Sequence, residues 1–213
     1  MPPQDNYALM ADHTRRLFLT YDQNTILANI PLTADPDYFY LPVLSRLHRI
    51  SRSEGTICVQ APDGAFRPTS DHNTPIVLFD YLCDASPARK AAGTYRPTAA
   101  FGHMFHTGFA ENPPVSSLER LIDETPDAFA AACRALGGIP DPTMGDVSYL
   151  LPLFPDLKIS VRFWHADEDF PPQLRFFWDE GSLGFLRYET MYYAQGLILR
   201  YLSETLFLLT KTA

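Results

Sequence analysis

Hydrophobic positions in the last third of the chain recur with a period of two. Leu157, Ile159, Val161 and Phe163 alternate with Lys158, Ser160, Arg162 and Trp164, and Leu174, Phe176 and Trp178 repeat the pattern. This predicts two strands, each burying one face, joined by a turn from His165 to Pro172. Phe39, Leu41 and Val43 also alternate, and a hairpin turn around Ser53-Glu54-Gly55 leads to Ile57, Cys58 and Val59. Pro62-Asp63-Gly64 has the turn chemistry that ends this strand.

Other segments have the helical period. Tyr7, Met10, Ala11, Leu17 and Phe18 predict a short amphipathic helix to about Thr20. Asn73-Thr74-Pro75 opens a helix that is apolar on most sides through Leu82. Ser116-Ser117-Leu118-Glu119 is a capping-box pattern. Thr125-Pro126-Asp127 opens a helix carrying Phe129, Ala132, Cys133 and Leu136, ended by Gly137 and Gly138. A long C-terminal helix from about Tyr188 presents Met191, Ala194, Ile198, Leu202 and Leu209. The expected class is α+β: a mainly antiparallel sheet covered by helices. Residues 86 to 114, rich in Pro, Ala and Gly, give no element.

Composition narrows the picture. With 213 residues, 46% of them hydrophobic and 20% charged, residues 1–213 read as a single globular domain. The net charge of -8 sets the chain against nucleic acid and anionic membranes. The most basic stretch, Arg46 to Arg52, reads as a solvated strand face. Cys58, Cys83 and Cys133 fit neither a disulfide framework nor an iron-sulfur ligand set. The run from Tyr188 to Leu209 is broken by Gln195, Arg200 and Glu204, which suits a helix on a protein core rather than in a bilayer. The opening Met-Pro-Pro-Gln-Asp has no basic or apolar leader, so a cytoplasmic location is expected.

The block Leu151-Pro152-Leu153-Phe154-Pro155, then Phe163-Trp164-His165-Ala166-Asp167-Glu168-Asp169-Phe170-Pro171 and Phe177-Trp178-Asp179, resembles domain of unknown function 3786. The similarity extends upstream through Pro75 to Leu82, Gly102 to Gly108 and Leu136-Gly137-Gly138, and thins before Val59. His165 departs from the pattern, where a small residue is usual, and so does Trp178, where Phe is expected. Members of that family occur in anaerobes, and some are fused to a four-cysteine iron-sulfur domain of the kind found beside corrinoid proteins. The resemblance thus implies an accessory domain in anaerobic metabolism, binding a small ligand, a cofactor or a metalloprotein partner. This chain has no cysteine cluster and would carry no iron-sulfur cluster itself.

The residues offer two sites. The first is the acidic turn and its strands, with Arg162, Trp164, His165, Asp167, Glu168, Phe170, Arg175 and Asp179 as ligand-binding candidates. If Trp164 pairs with Gln173, Lys158 lies opposite Asp179 and Arg162 opposite Arg175. Asp179 then sits at the far end of the hairpin from His165, and the carboxylates form no single cluster. Two opposed arginines repel unless an anion lies between them, either Asp167 or Glu168 or a bound acidic ligand. The second site is His103-Met104-Phe105-His106, whose two imidazoles are spaced to share a metal or to stand beside a tetrapyrrole. No phosphate loop, nucleophile elbow or zincin motif occurs. Three functions are compatible with this inventory: an accessory ligand-binding domain, a metal-dependent, hydrolase-like enzyme using His103, His106 and the acidic turn, and a partner-binding scaffold.

Overall fold

A computed structural model of the chain describes residues 6–102 and 116–212. The class is α+β as expected, but the strands form two antiparallel sheets of five rather than one. The first is a meander of β1 (Thr33–Ala34), β2 (Tyr38–Val43), β3 (Arg46–Ser51), β4 (Ile57–Gln60) and β5 (Phe66–Pro68). The second is built from β6 (Tyr95–Pro97), β7 (Ile139–Pro140), β8 (Val147–Phe154), β9 (Leu157–Trp164) and β10 (Gln173–Asp179), in the order β6-β10-β9-β8-β7. The helices are α1 (Asn6–Thr20), α2 (Gln23–Asn29), α3 (Asn73–Asp84), α4 (Ser117–Glu124), α5 (Pro126–Ala135) and α6 (Tyr188–Thr212).

Local signals and observed elements agree where side chains cap their own backbone. Ser116 and Glu119 close a reciprocal capping box on α4. The α5 positions Phe129, Ala132, Cys133 and Leu136 are all buried. Gly137, at φ 77°, ends the helix where a Cβ would lie 1.9 Å from Ser45 Oγ, so both the turn and the close approach exclude a side chain. The α3 cap comes from Asp71, whose carboxylate accepts from the Thr74 N–H and hydroxyl, both at 2.8 Å.

Two expectations change. In α1, only Phe18 of the predicted stripe reaches the core, while Tyr7, Met10 and Leu17 remain exposed. The helix lies along α3 on its Thr14–Phe18 edge, and Tyr7 meets the rim of Tyr193 edge-on. The β2–β3 turn carries positive φ at Leu44 and Ser45, two residues with no turn signature. Leu44 is fully buried and its N–H bonds Pro152 O at 3.0 Å, so contact with the second sheet holds this strained backbone.

One apolar core joins both sheets and the helices. Helix α6 runs through it, packed on α3 and α5, with Met191, Ala194, Leu197, Ile198, Tyr201 and Leu202 buried. The polar residues that break its apolar run are all engaged. Gln195 bonds Thr98, Arg200 pairs with Asp71, and Glu204 pairs with Arg46. No helix among the described residues is long and apolar enough to cross a membrane.

Helix α6 is also tied to the first sheet by His48. The His48 Nδ1–H donates to Arg46 O at 3.0 Å, a partner that can only accept. Its Nε2 therefore accepts the Tyr201 hydroxyl at 2.7 Å, and the ring is neutral. Burial, reinforced by the Arg200 and Arg46 charges and only partly opposed by the carbonyl bond and Asp71, pushes His48 down from 6.5 to about 4. The unfolded chain therefore takes up this proton first. The stabilisation is complete above about pH 6.5 and is lost as pH falls towards 4, amounting to about 3 kcal/mol in total. Urea unfolding compared at about pH 7 and pH 5 should show His48→Gln losing less stability on acidification than the wild type. Parallel losses would remove His48 as the cause.

Candidate functional site

The β9–β10 ladder pairs Trp164 with Gln173 and Arg162 with Arg175, the register that the sequence offered only as a condition. It ends at Ile159 and Trp178, one pair short of Lys158 and Asp179. Inward-facing Ile159, Val161 and Phe163 are fully buried, which anchors the strand that carries the site. At the turn end of the hairpin, Asp167 folds the loop on itself. Its Oδ1 accepts from the N–H groups of Asp169 and Phe170 at 2.9 and 2.7 Å, and its own N–H bonds Phe170 O.

Two carboxylates from elsewhere hold His165. The His165 N–H donates to Asp146 Oδ2 at 2.8 Å, and Nδ1–H donates to Asp123 Oδ1 at 2.7 Å. Asp123, near the end of α4, also accepts from Ala166 N–H. This fixes the tautomer, and Nε2 has no partner among the described residues. Gly145, at φ 91°, brings Asp146 against the end of β9, where the Asp146 N–H bonds Phe163 O at 2.9 Å. Nothing in the sequence around Asp123 or Asp146 marks either as a partner of His165. The only available hint is the Gly145-Asp146 turn.

A cleft of about 430 Å³ lies here, within the usual size range for small-molecule sites. It brings together the predicted residues Trp164, His165, Asp167, Phe170 and Arg175, and adds Asp146, Pro171 and Gln173. Phe170 is 63% exposed and Trp164 half-buried, so an apolar wall faces solvent. Glu168 is exposed and does not line the cleft.

The opposed arginines have separate fates. The anion for Arg162 is Asp141, not Asp167 or Glu168: its Oδ2 is 3.7 Å from the guanidinium and accepts from Ser160 Oγ at 3.0 Å. The 140–146 turn folds over the outer face of the second sheet, whereas Asp167 is committed to its own backbone. Burial opposes ionisation of Asp141, but the bonds from Thr143 and Ser160 together with Arg162 hold it below the usual carboxylate range. Arg162 is buried, donates to Ser160 Oγ at 2.9 Å and lies over the Phe177 ring. Arg175 is exposed and has no partner among the described residues.

Asp179 stands apart, 1% exposed, accepting from the N–H groups of Ala92, Gly93 and Gly181 at 2.7 to 2.8 Å. It stitches the 92–93 turn to the end of β10 and does not line the cleft. His103 and His106 lie outside the described residues. Among those described, no group of three or more His, Cys, Asp or Glu side chains is placed to hold a metal. Burial pushes the Cys83 thiol up to about 12 and raises Cys133 as well, so neither is an activated nucleophile. Asp179→Ala should cost about 3 kcal/mol, since three backbone donors lose their acceptor. Denaturant unfolding measures the loss, and a change below about 0.5 kcal/mol would refute the stitching role.

No curated protein and no solved structure matches this chain. The sequence profile described as Domain of unknown function (DUF3786) matches residues 22–201. That span covers all ten strands, including the first sheet, where the motif resemblance thins. The chain belongs to this DUF3786 family of unknown function.

Proposed function

We propose that this protein is a small-ligand-binding domain and that the cleft at the turn end of the β9–β10 hairpin is its site. One observation carries the reading: five side chains chosen from the sequence converge with Asp146 and Gln173 on a single cavity. The cleft sets the aromatic rings of Trp164 and Phe170 among five polar side chains, and its framework is fixed by buried strands, a combination that can both hold and orient a small molecule. The family resemblance extends the reading to an accessory role beside a metalloprotein in the cytoplasm of an anaerobe. A metal or tetrapyrrole at His103 and His106, which lie outside the described residues, belongs to the same accessory reading.

A second reading, catalysis, rests on the Asp123–His165 pair. A carboxylate that fixes Nδ1–H leaves Nε2 available to take a proton from a substrate in the cleft. The two readings separate on turnover. If a bound compound is converted, His165→Asn should reduce the rate by about 100-fold or more while preserving binding; conversion unaffected by that change would exclude the histidine.

The chain has two tryptophans, and Trp178 is fully buried, so Trp164 is a resident reporter for the cleft. Titration with a panel of small metabolites should change Trp164 emission and raise the unfolding temperature for the compounds that bind. Trp164→Phe should abolish the optical signal, and Trp164→Ala should weaken binding about tenfold through loss of the aromatic wall. A panel that alters neither emission nor unfolding temperature would count against the cleft as a site.

A further inference from the structure

Building on the cleft reading, we propose that the ligand is a zwitterion of the α-amino-acid type, a free amino acid or short peptide with an apolar or aromatic side chain. The argument starts from charge. Arg162 and Arg175 are opposed across β9 and β10, and Asp141 neutralises only the first. Arg175 thus brings an uncompensated cation to the cleft wall. By itself this would select an anion, since a guanidinium fork matches a carboxylate in charge and geometry.

The same cleft also carries two carboxylates. Asp146 uses Oδ2 to accept from the His165 N–H, and Asp167 uses Oδ1 within its own turn. In each, the other oxygen has no partner among the described residues. Neither forms an ion pair with Arg175. A simple anion would meet these two carboxylates, and a simple cation would meet Arg175. A molecule carrying both charges satisfies both sides and leaves no charge facing its like.

The remaining lining fits the rest of such a molecule. Trp164 and Phe170 offer aromatic surface to an apolar side chain, and the Gln173 carboxamide, without a partner among the described residues, can bond a backbone-like amide or carboxylate. His165 Nε2 is available as a further polar contact. Asp123 and Asp146 hold this histidine in place before any ligand arrives, so the polar wall is preorganised.

The test titrates the full chain with L-phenylalanine and L-leucine, and with the analogues of each that lack the ammonium or lack the carboxylate. Trp164 emission and calorimetric heat are read together. At least one amino acid should bind about tenfold more tightly than either of its single-charge analogues. Arg175→Gln, a change at an exposed and unpaired side chain, should leave the unfolding temperature unmoved and lower the amino acid's affinity to that of its decarboxylated analogue. Asp146→Asn and Asp167→Asn should lower it towards the analogue without the ammonium, with circular dichroism confirming that each variant is folded.

A single-charge analogue that binds as tightly as its amino acid would overturn the zwitterion and leave the cleft reading intact. The same conclusion follows if both amino acids are silent while other metabolites change Trp164 emission. Silence from every compound would overturn the cleft itself.

Discussion

Helix α6 is the constraint on which the other elements depend, because its apolar surface is too long to be covered by any one of them. Burying a Leu, Ile or Met side chain contributes about 1.5–3 kcal/mol, and α6 buries such residues from Met191 to Leu206. Covering that length takes α3 on one flank and α5 on another. The polar side chains that interrupt the run then fix its rotation. Arg200 reaches Asp71 ahead of α3, Glu204 reaches Arg46 on β3, and Tyr201 bonds His48 inside the first sheet. Once α6 is set, α5 lies against β8, and the second sheet has its place.

The candidate site grows from that sheet where burial ends. Alternate residues of β9 are locked in the core, so their neighbours on the outer face are presented rigidly, while the turn beyond them is free to carry polar chemistry. Function on such a surface depends on which charges the fold leaves unmatched. Asp141 satisfies Arg162 in a buried network with Ser160, while its cross-strand neighbour Arg175 faces the cleft unpaired. The same division holds for the acids. Asp179 is consumed by three backbone donors, whereas Asp146 and Asp167 each spend one oxygen on structure and keep the other for the cleft.

Much of the fold was legible because its signals are local. Period-two alternation set β9 and β10, though their register entered only as a condition, and the capping box at Ser116 and the glycines at 137–138 bounded α4 and α5. Short β1, β6 and β7 left no pattern, since two or three residues cannot display a period. The α1 stripe misled because a hydrophobic face shows only that a side can be buried, and α3 covers a narrower edge than the pattern offers. The positive φ at Leu44 had no signal, being imposed by the bond from its N–H to Pro152 in the other sheet.

For the site, the sequence by itself determined the candidates: aromatic, acidic and basic residues flanking one turn, with Asp179 at the opposite end of the hairpin by simple strand arithmetic. Given a Trp164–Gln173 pairing, which the sequence offered only as a condition, the two arginines oppose each other and require an anion. The tertiary structure alone decided which anion that is and which residues orient His165. Asp141, Asp123 and Asp146 lie roughly twenty to forty positions from the groups they hold, a distance over which no periodicity operates. Charge compensation depends on separation in space rather than along the chain. Whether an arginine is a structural brace or an open binding group was therefore settled only when the 140–146 turn closed over one of the pair.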